Sequence, residues 1–227
     1  MSETATAGRV PAGTIHRVRI PSRRWIAGGL LVAALVILAM HFVDRPLART
    51  DLTPTPEVRK VVHVVTVLGE AQWPLAVFAV FWLVCLVRQR RGLADAAVRG
   101  MIAIAIGGLS VNIIKIIVGR YRPSELIEDG RWGFEPLTYG YATASFPSGH
   151  STVVAAACMS AYLAVPRLWP VWLIGGLCVC YTRLATTSHY LSDVIAGIAL
   201  GVIVSLLVAR VLPSKERVEV ARVPSSA

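Results

Sequence analysis

Long apolar runs separated by short polar breaks set the reading of this chain. The runs cover residues 25–43, 73–87, 96–118, 147–165, 171–181 and 192–211. At the rise of an α-helix, nineteen residues cover about 28 Å, close to the hydrocarbon thickness of a bilayer. The breaks are charged or proline-bearing: Asp44-Arg45-Pro46, Arg88-Gln89-Arg90-Arg91 and Pro166-Arg167-Leu168-Trp169-Pro170. The pattern predicts an all-α polytopic membrane protein with six transmembrane helices. Between the first two runs, Pro54 and Pro56 precede Val58, Val61, Val62, Val65 and Leu68 at mostly helical spacing. That spacing predicts a short amphipathic helix lying at the membrane surface. Gly107 and Gly108 in the third run are small enough for close helix packing. The chain therefore divides into a polar tail (1–24), a membrane domain (25–211) and a second polar tail (212–227), with no internal repeat.

Composition agrees: 55% of the residues are hydrophobic and 16% charged, so the bilayer is the expected environment. A formal net charge of +10 would suggest nucleic acid as the partner of a soluble chain. Here the basic residues lie in tails and in short loops between apolar runs, which suits anionic headgroups and membrane orientation instead. Nucleic acid is not an expected partner. Six spans place both termini on one side, and the Lys and Arg residues divide 14 to that side and 9 to the other. Both termini are therefore expected in the cytoplasm, in a bacterial-type inner membrane, with the chemistry below on the outer face. Cys85, Cys158, Cys178 and Cys180 all sit inside apolar runs without zinc-ligand spacing and read as small buried hydrophobes. The first run begins too late and is too long for a cleaved signal.

Three polar clusters stand at the outer ends of these runs. The first is Lys115 followed by Arg120, Arg122 and Pro123. It is either a concentrated positive site or a snorkelling lysine with helix-end arginines. In the second, Pro147-Ser148-Gly149-His150, a helix start offers free N–H groups to an anion. Its glycine permits close approach and its histidine can move a proton. The alternative is an ordinary N-cap. The third runs from Thr182 and Arg183 to His189 and Asp193. If the chain is helical from Tyr190, His189 and Asp193 share a face, about 6 Å apart, and the carboxylate can hold one imidazole nitrogen. The alternative is a structural Arg183–Asp193 ion pair. A metal held by His150, His189 and Asp193 is disfavoured because Lys115, Arg122 and Arg183 would repel a cation. No metal and no other cofactor is expected. Two histidines, an aspartate and several cations form an inventory for metal-free phosphoryl transfer.

Lys115 to Pro123 matches K-x6-R-P, Pro147 to His150 is P-S-G-H, and Arg183 to Asp193 matches R-x5-H-x3-D. In these three motifs the chain resembles the type 2 phosphatidic acid phosphatase superfamily, in its six-span membrane-bound branch. The resemblance implies His189 as a nucleophile forming a phosphohistidine, Asp193 as the residue that orients it, and His150 as the acid for the leaving group. It implies Lys115, Arg122, Ser148, Gly149 and Arg183 as phosphate ligands. Thr182 stands where the family motif usually has serine, and the hydroxyl is kept. The implied substrate is a membrane lipid phosphate: undecaprenyl diphosphate, a lipid A phosphate, phosphatidylglycerol phosphate or phosphatidic acid. The 124–146 loop, with Trp132, Phe134, Tyr139 and Tyr141, is expected to cover the pocket and read the headgroup. A lipid-to-lipid phosphotransferase using the same histidine, and a non-catalytic lipid or anion carrier, are the alternatives.

Overall fold

Helices form where the apolar runs lie. The computed structural model describes residues 22–53 and 55–213; most of the expected amino-terminal tail and nearly all of the carboxy-terminal one lie outside the described residues. Helix α1 (Ser22–Leu38) does not stop at Asp44-Arg45-Pro46 as expected. It passes through a π-helical turn (Ala39–Val43) into α2 (Asp44–Ala48). The Asp44 N–H bonds the Ala39 carbonyl, a five-residue step. That change of register puts Pro46 in the first turn of a renewed helix, where a missing N–H is tolerated.

Helix α3 (Pro56–Leu68) starts on Thr55, whose hydroxyl accepts the Val58 N–H at 3.3 Å, with Pro56 at the first helical position. Helices α4 (Gln72–Val87) and α5 (Arg91–Val118) follow, the latter starting five residues before its apolar run. The long polar connection holds an unanticipated short helix, α6 (Pro123–Glu128), and a single bridge between Arg120 and Phe134. Helix α7 (Gly149–Ala164), a 3-10 turn (Pro166–Leu168), α8 (Trp169–Ala185) and α9 (Leu191–Val211) complete the order. The fifth apolar run, expected to end near Tyr181, continues as helix to Ala185 and carries Thr182 and Arg183 within it.

The chain is an all-helical membrane protein. Among the described residues, four helices are long and apolar enough to cross a bilayer: Trp25–Ala48, Arg91–Val118, Pro166–Ala185 and Leu191–Val211. A fifth crossing results if α3 and α4, bent by 55° at their junction, count as one. The remaining expected span is α7, which at 16 residues is shorter than these and the most enclosed by its neighbours.

Helix α7 is the centre of the bundle, packed against α5, α8 and α9. Ala103 and Ile104 of α5, Val153, Ala156 and Ala157 of α7, and Val204 and Val208 of α9 form the main core. Two glycines on α9 let that helix lie directly on the α7 backbone. A Cβ on Gly197 would stand 2.5 Å from the Ser148 carbonyl oxygen. One on Gly201 would strike the Thr152 carbonyl oxygen and come within 2.8 Å of the Ala156 nitrogen. Backbone atoms cannot rotate aside, so any larger residue must separate the two helices. Gly201→Ala is expected to lower thermal stability in detergent, by about 1–3 kcal/mol as for other overpacked sites. Gly108→Ala, whose Cβ meets nothing within 4 Å, is expected not to. Paired melting curves of the two variants check this.

Candidate active site

The end of α5, the start of α7 and the α8–α9 junction meet at one end of the bundle. Gly119, in the left-handed conformation (φ 58°), ends α5. It lies so close to the Glu135 backbone that a side chain there would collide with it. The turn sends the two following arginines to different places.

Arg122 is almost buried and holds the polar connection to the α8–α9 loop. Its Nε donates to the Tyr141 carbonyl at 2.7 Å, and its terminal nitrogens donate to the Ser188 carbonyl at 2.9 Å and the Ala144 carbonyl at 3.2 Å. The Tyr141 ring lies 4.0 Å from the guanidinium carbon. Three of five N–H groups are thereby used and the fork is fixed, which leaves two for a ligand.

The start of α7 is fixed just as firmly. The Ser148 hydroxyl oxygen accepts from the Ser151 N–H at 3.4 Å and the Ser151 hydroxyl at 2.9 Å, while the Ser148 N–H donates to the Asp193 carbonyl at 3.0 Å. The N–H groups of Gly149 and His150 follow in the first turn, where a helix supplies no acceptor. A Cβ on Gly149 would lie 3.9 Å from the Lys115 ammonium nitrogen, so α5 presents its lysine to this helix start. His150 lies within charge-interaction range of Arg183, His189, Lys115 and Arg122. Its Nε2 is buried and has no hydrogen-bond partner. Gly69, at the α3–α4 bend, approaches the same ring: a Cβ there would be 3.1 Å from its Cδ2.

Arg183 sits in the last turn of α8, buried, its Nε likewise without a partner. It makes no ion pair with Asp193, which sets aside the structural-pair alternative. Its carbonyl accepts the N–H groups of Ser188 and His189, each at 3.2 Å, and so tightens the loop that carries the histidine.

His189 precedes α9, and Tyr190 caps that helix together with Asp193. The His189 Nδ1 lies 2.8 Å from the Ser145 carbonyl oxygen, which can only accept. Nδ1 therefore carries the hydrogen, and the lone pair of the neutral ring is on Nε2. Asp193 is further from that nitrogen, at 3.7 Å. Its Oδ2 accepts from the Ser145 hydroxyl at 2.6 Å and the Tyr190 N–H at 2.9 Å. Its Oδ1 is bonded by Arg120. The carboxylate thus reaches His189 chiefly through Ser145. Burial holds the His189 imidazolium well below its usual range, at about 4, against the opposing pull of Asp193.

All eight residues singled out from the sequence (Lys115, Arg122, Ser148, Gly149, His150, Arg183, His189 and Asp193) come to this one region. Three cations, two helix-start N–H groups and two unpartnered buried nitrogens, on Arg183 and His150, suit a tetrahedral oxyanion. Four contributors escaped sequence reasoning. Asp44 passed for a helix terminator, Arg120 for a partner of Arg122, Ser145 for loop and Ser192 for a helix start. Their only signal was charge or hydroxyl at the edge of an apolar run.

Residues 96–217 match the family model of the PAP2 superfamily. A lipid A 1-phosphatase of Rhizobium johnstonii is 31% identical over 203 residues, covering 85% of this chain and 82% of that protein. A lipid A 1-phosphatase of Rhizobium etli is 30% identical, covering 84% and 86%. An undecaprenyl-diphosphatase of Sulfolobus acidocaldarius is 32% identical over 108 residues, covering 47% and 48%. The crystal structure of a transmembrane PAP2-type phosphatidylglycerolphosphate phosphatase from Bacillus subtilis shares the fold. Its TM-score is 0.65 at 21% identity, covering 85% of this chain and 96% of that one.

The environment of His189 predicts an acid-sensitive fold. An unfolded chain takes up the proton near pH 6.5 and the folded one near 4, so this residue's contribution is intact above about 6.5 and is lost as pH falls toward 4. His189→Gln is expected to lose stability less steeply than wild type across that window, as measured by thermal melts at stepped pH.

Proposed function

The chain belongs to the PAP2 superfamily, and from that premise we propose that it is an integral membrane phosphatase that removes phosphate from a lipid headgroup through a phosphohistidine. The observation that carries this reading is the state of His189: buried, neutral, with Nδ1–H held by the Ser145 carbonyl and Nε2 free. In the proposed reaction Nε2 forms a bond to phosphorus. The phosphorus–oxygen bond to the lipid breaks, and the lipid oxygen leaves with the electron pair and takes a proton delivered by His150. Water, giving its proton to His150, then attacks phosphorus, the nitrogen–phosphorus bond breaks and inorganic phosphate departs. Lys115, Arg122 and Arg183 hold the equatorial oxygens, joined by the N–H of Gly149 and the hydroxyl hydrogen of Ser148. Asp193 keeps the histidine in register. Three fixed cations supply the charge that a metal would supply elsewhere, so the reaction proposed is metal-independent.

The same proposal extends to topology. Residues 25–211 form one membrane domain of six crossings, with α7 shielded inside the others and α3 along the outer surface. Both polar tails are cytoplasmic, in an inner membrane, and the site faces outward, as the basic-residue distribution favours. The substrate class is a membrane lipid phosphate. Two relatives named for the lipid A 1-phosphate, matched over more than four-fifths of both lengths, favour a lipid A phosphate. Undecaprenyl diphosphate, phosphatidylglycerol phosphate and phosphatidic acid are the comparison substrates.

Purified protein offered these four lipids is expected to release inorganic phosphate, fastest from the lipid A species, and to do so in excess chelator. His189→Ala should reduce the rate by about a thousandfold or more, the scale set by losing a nucleophile. Wild-type turnover in His189→Ala, or its abolition by chelator, would overturn the mechanism.

A further inference from the structure

Behind the site, Asp193 is joined to two buried charges, Asp44 and Arg120, that the motifs do not specify. Arg120 is 1% exposed, Asp44 1% and Asp193 0%. One terminal nitrogen of Arg120 donates to Asp44 Oδ2 at 2.8 Å. The other donates to Asp193 Oδ1 and to the Ser192 hydroxyl oxygen, the latter at 2.6 Å. Ser192 closes the ring, its N–H donating to Asp44 Oδ1 at 3.1 Å and its hydroxyl to Asp44 Oδ2. The guanidinium carbon lies 4.4 Å from the Tyr190 ring and 5.4 Å from that of Trp132, which also stands 4.5 Å from the Arg45 guanidinium. Arg120 therefore cannot turn toward a ligand. Asp44 comes from the first crossing helix, outside the 96–217 stretch that matches the family model.

We propose that Asp44 and Arg120 are positioning residues for the reaction, acting on His189 through Asp193. The proposal rests on His189 being the nucleophile. Arg120 occupies Asp193 Oδ1 and thereby turns Oδ2 toward the Ser145 hydroxyl and the Tyr190 N–H, the two groups that border His189. Asp44 and Ser192 in turn fix the guanidinium plane. The charge sum matters as much as the geometry. Two carboxylates against one guanidinium leave a single negative excess next to a ring that becomes cationic when Nε2 bonds phosphorus while Nδ1 keeps its hydrogen. In a buried setting, that excess favours the phosphorylated ring over the neutral one. Neither residue touches the phosphate ligands, so their effect falls on turnover and not on binding.

The test compares Asp44→Asn, Arg120→Gln and the double variant in purified, monodisperse protein, with a lipid phosphate as substrate and inorganic phosphate as competitive probe. Asp44→Asn is expected to lower kcat about tenfold, with KM and the inhibition constant of phosphate within about twofold of wild type. Arg120→Gln strands two buried carboxylates and should lose about a hundredfold. Removing the second carboxylate in the double variant should restore part of that loss. If a charge variant does not yield folded protein, Ser192→Ala breaks the ring without stranding a charge and should show the same kcat-only loss, at about threefold. Turnover of Asp44→Asn within twofold of wild type would overturn the proposal, as would losses that multiply in the double variant. So would a rise in KM at unchanged kcat. Wild-type protein that releases no phosphate from any lipid would instead overturn the function on which it rests.

Discussion

A charge buried among apolar helices is tolerated only with compensating charge and hydrogen bonds around it, and this protein buries three together. Asp44, Arg120 and Asp193 satisfy one another, with Ser192 and Ser145 taking up further lone pairs. Removing one member of such a set leaves the others uncompensated, a loss of about 3–5 kcal/mol for a buried pair. The first helix is tied to the last through this cluster, and the last is tied to the α7 start through the Asp193 carbonyl. The position of His189 follows from those two attachments. Its ring is held by the carbonyl of a serine whose hydroxyl is held by Asp193.

On the ligand side the same rigidity has the opposite outcome, because donors are left over. Arg122 uses three of its N–H groups on carbonyls and keeps two, while the Arg183 Nε and the His150 Nε2 have no partner although both are buried. A native protein seldom leaves such nitrogens unpaired, and the His150 ring lies within charge-interaction range of both Arg183 and Lys115. Close packing makes this durable: Gly197 and Gly201 bring α9 onto the α7 backbone, and Gly69 brings the α3–α4 bend against the His150 ring. In the proposed reaction the phosphate therefore meets donors that are already held, with little reorganisation left to perform.

The sequence made the helices legible because a crossing segment must be apolar over its whole length, and it made the site legible because charge at the edge of such a segment needs a reason. Lys115, His150, Arg183 and His189 were found that way. Where one charge satisfies another across the bundle, the chain carries no local sign of it. Asp44 beside Pro46 looks like a helix stop, and only the π turn at Ala39–Val43, invisible in composition, lets the helix continue and turn that carboxylate inward. Arg120 and Arg122 are two residues apart and alike in type, yet Gly119 and the bridge to Phe134 send one to the carboxylates and the other to carbonyls. Likewise the carboxylate–imidazole contact inferred from four-residue spacing is mediated by Ser145, because His189 lies ahead of the helix and not within it.

The ring of Asp44, Arg120 and Ser192 also has a consequence in time. Its members are separated by 148 residues between Asp44 and Ser192, and a membrane chain enters the bilayer from its amino terminus onward. Asp44 reaches the membrane long before its guanidinium partner is synthesised, and Arg120 before the last helix exists. Those two can pair with each other once α5 is complete, but Ser192 and Asp193 join them only when the final helix arrives. The buried charge set is thus complete only with the last helix. A ribosome stalled before residue 193 would leave Arg120 without the carboxylate that its second terminal nitrogen holds.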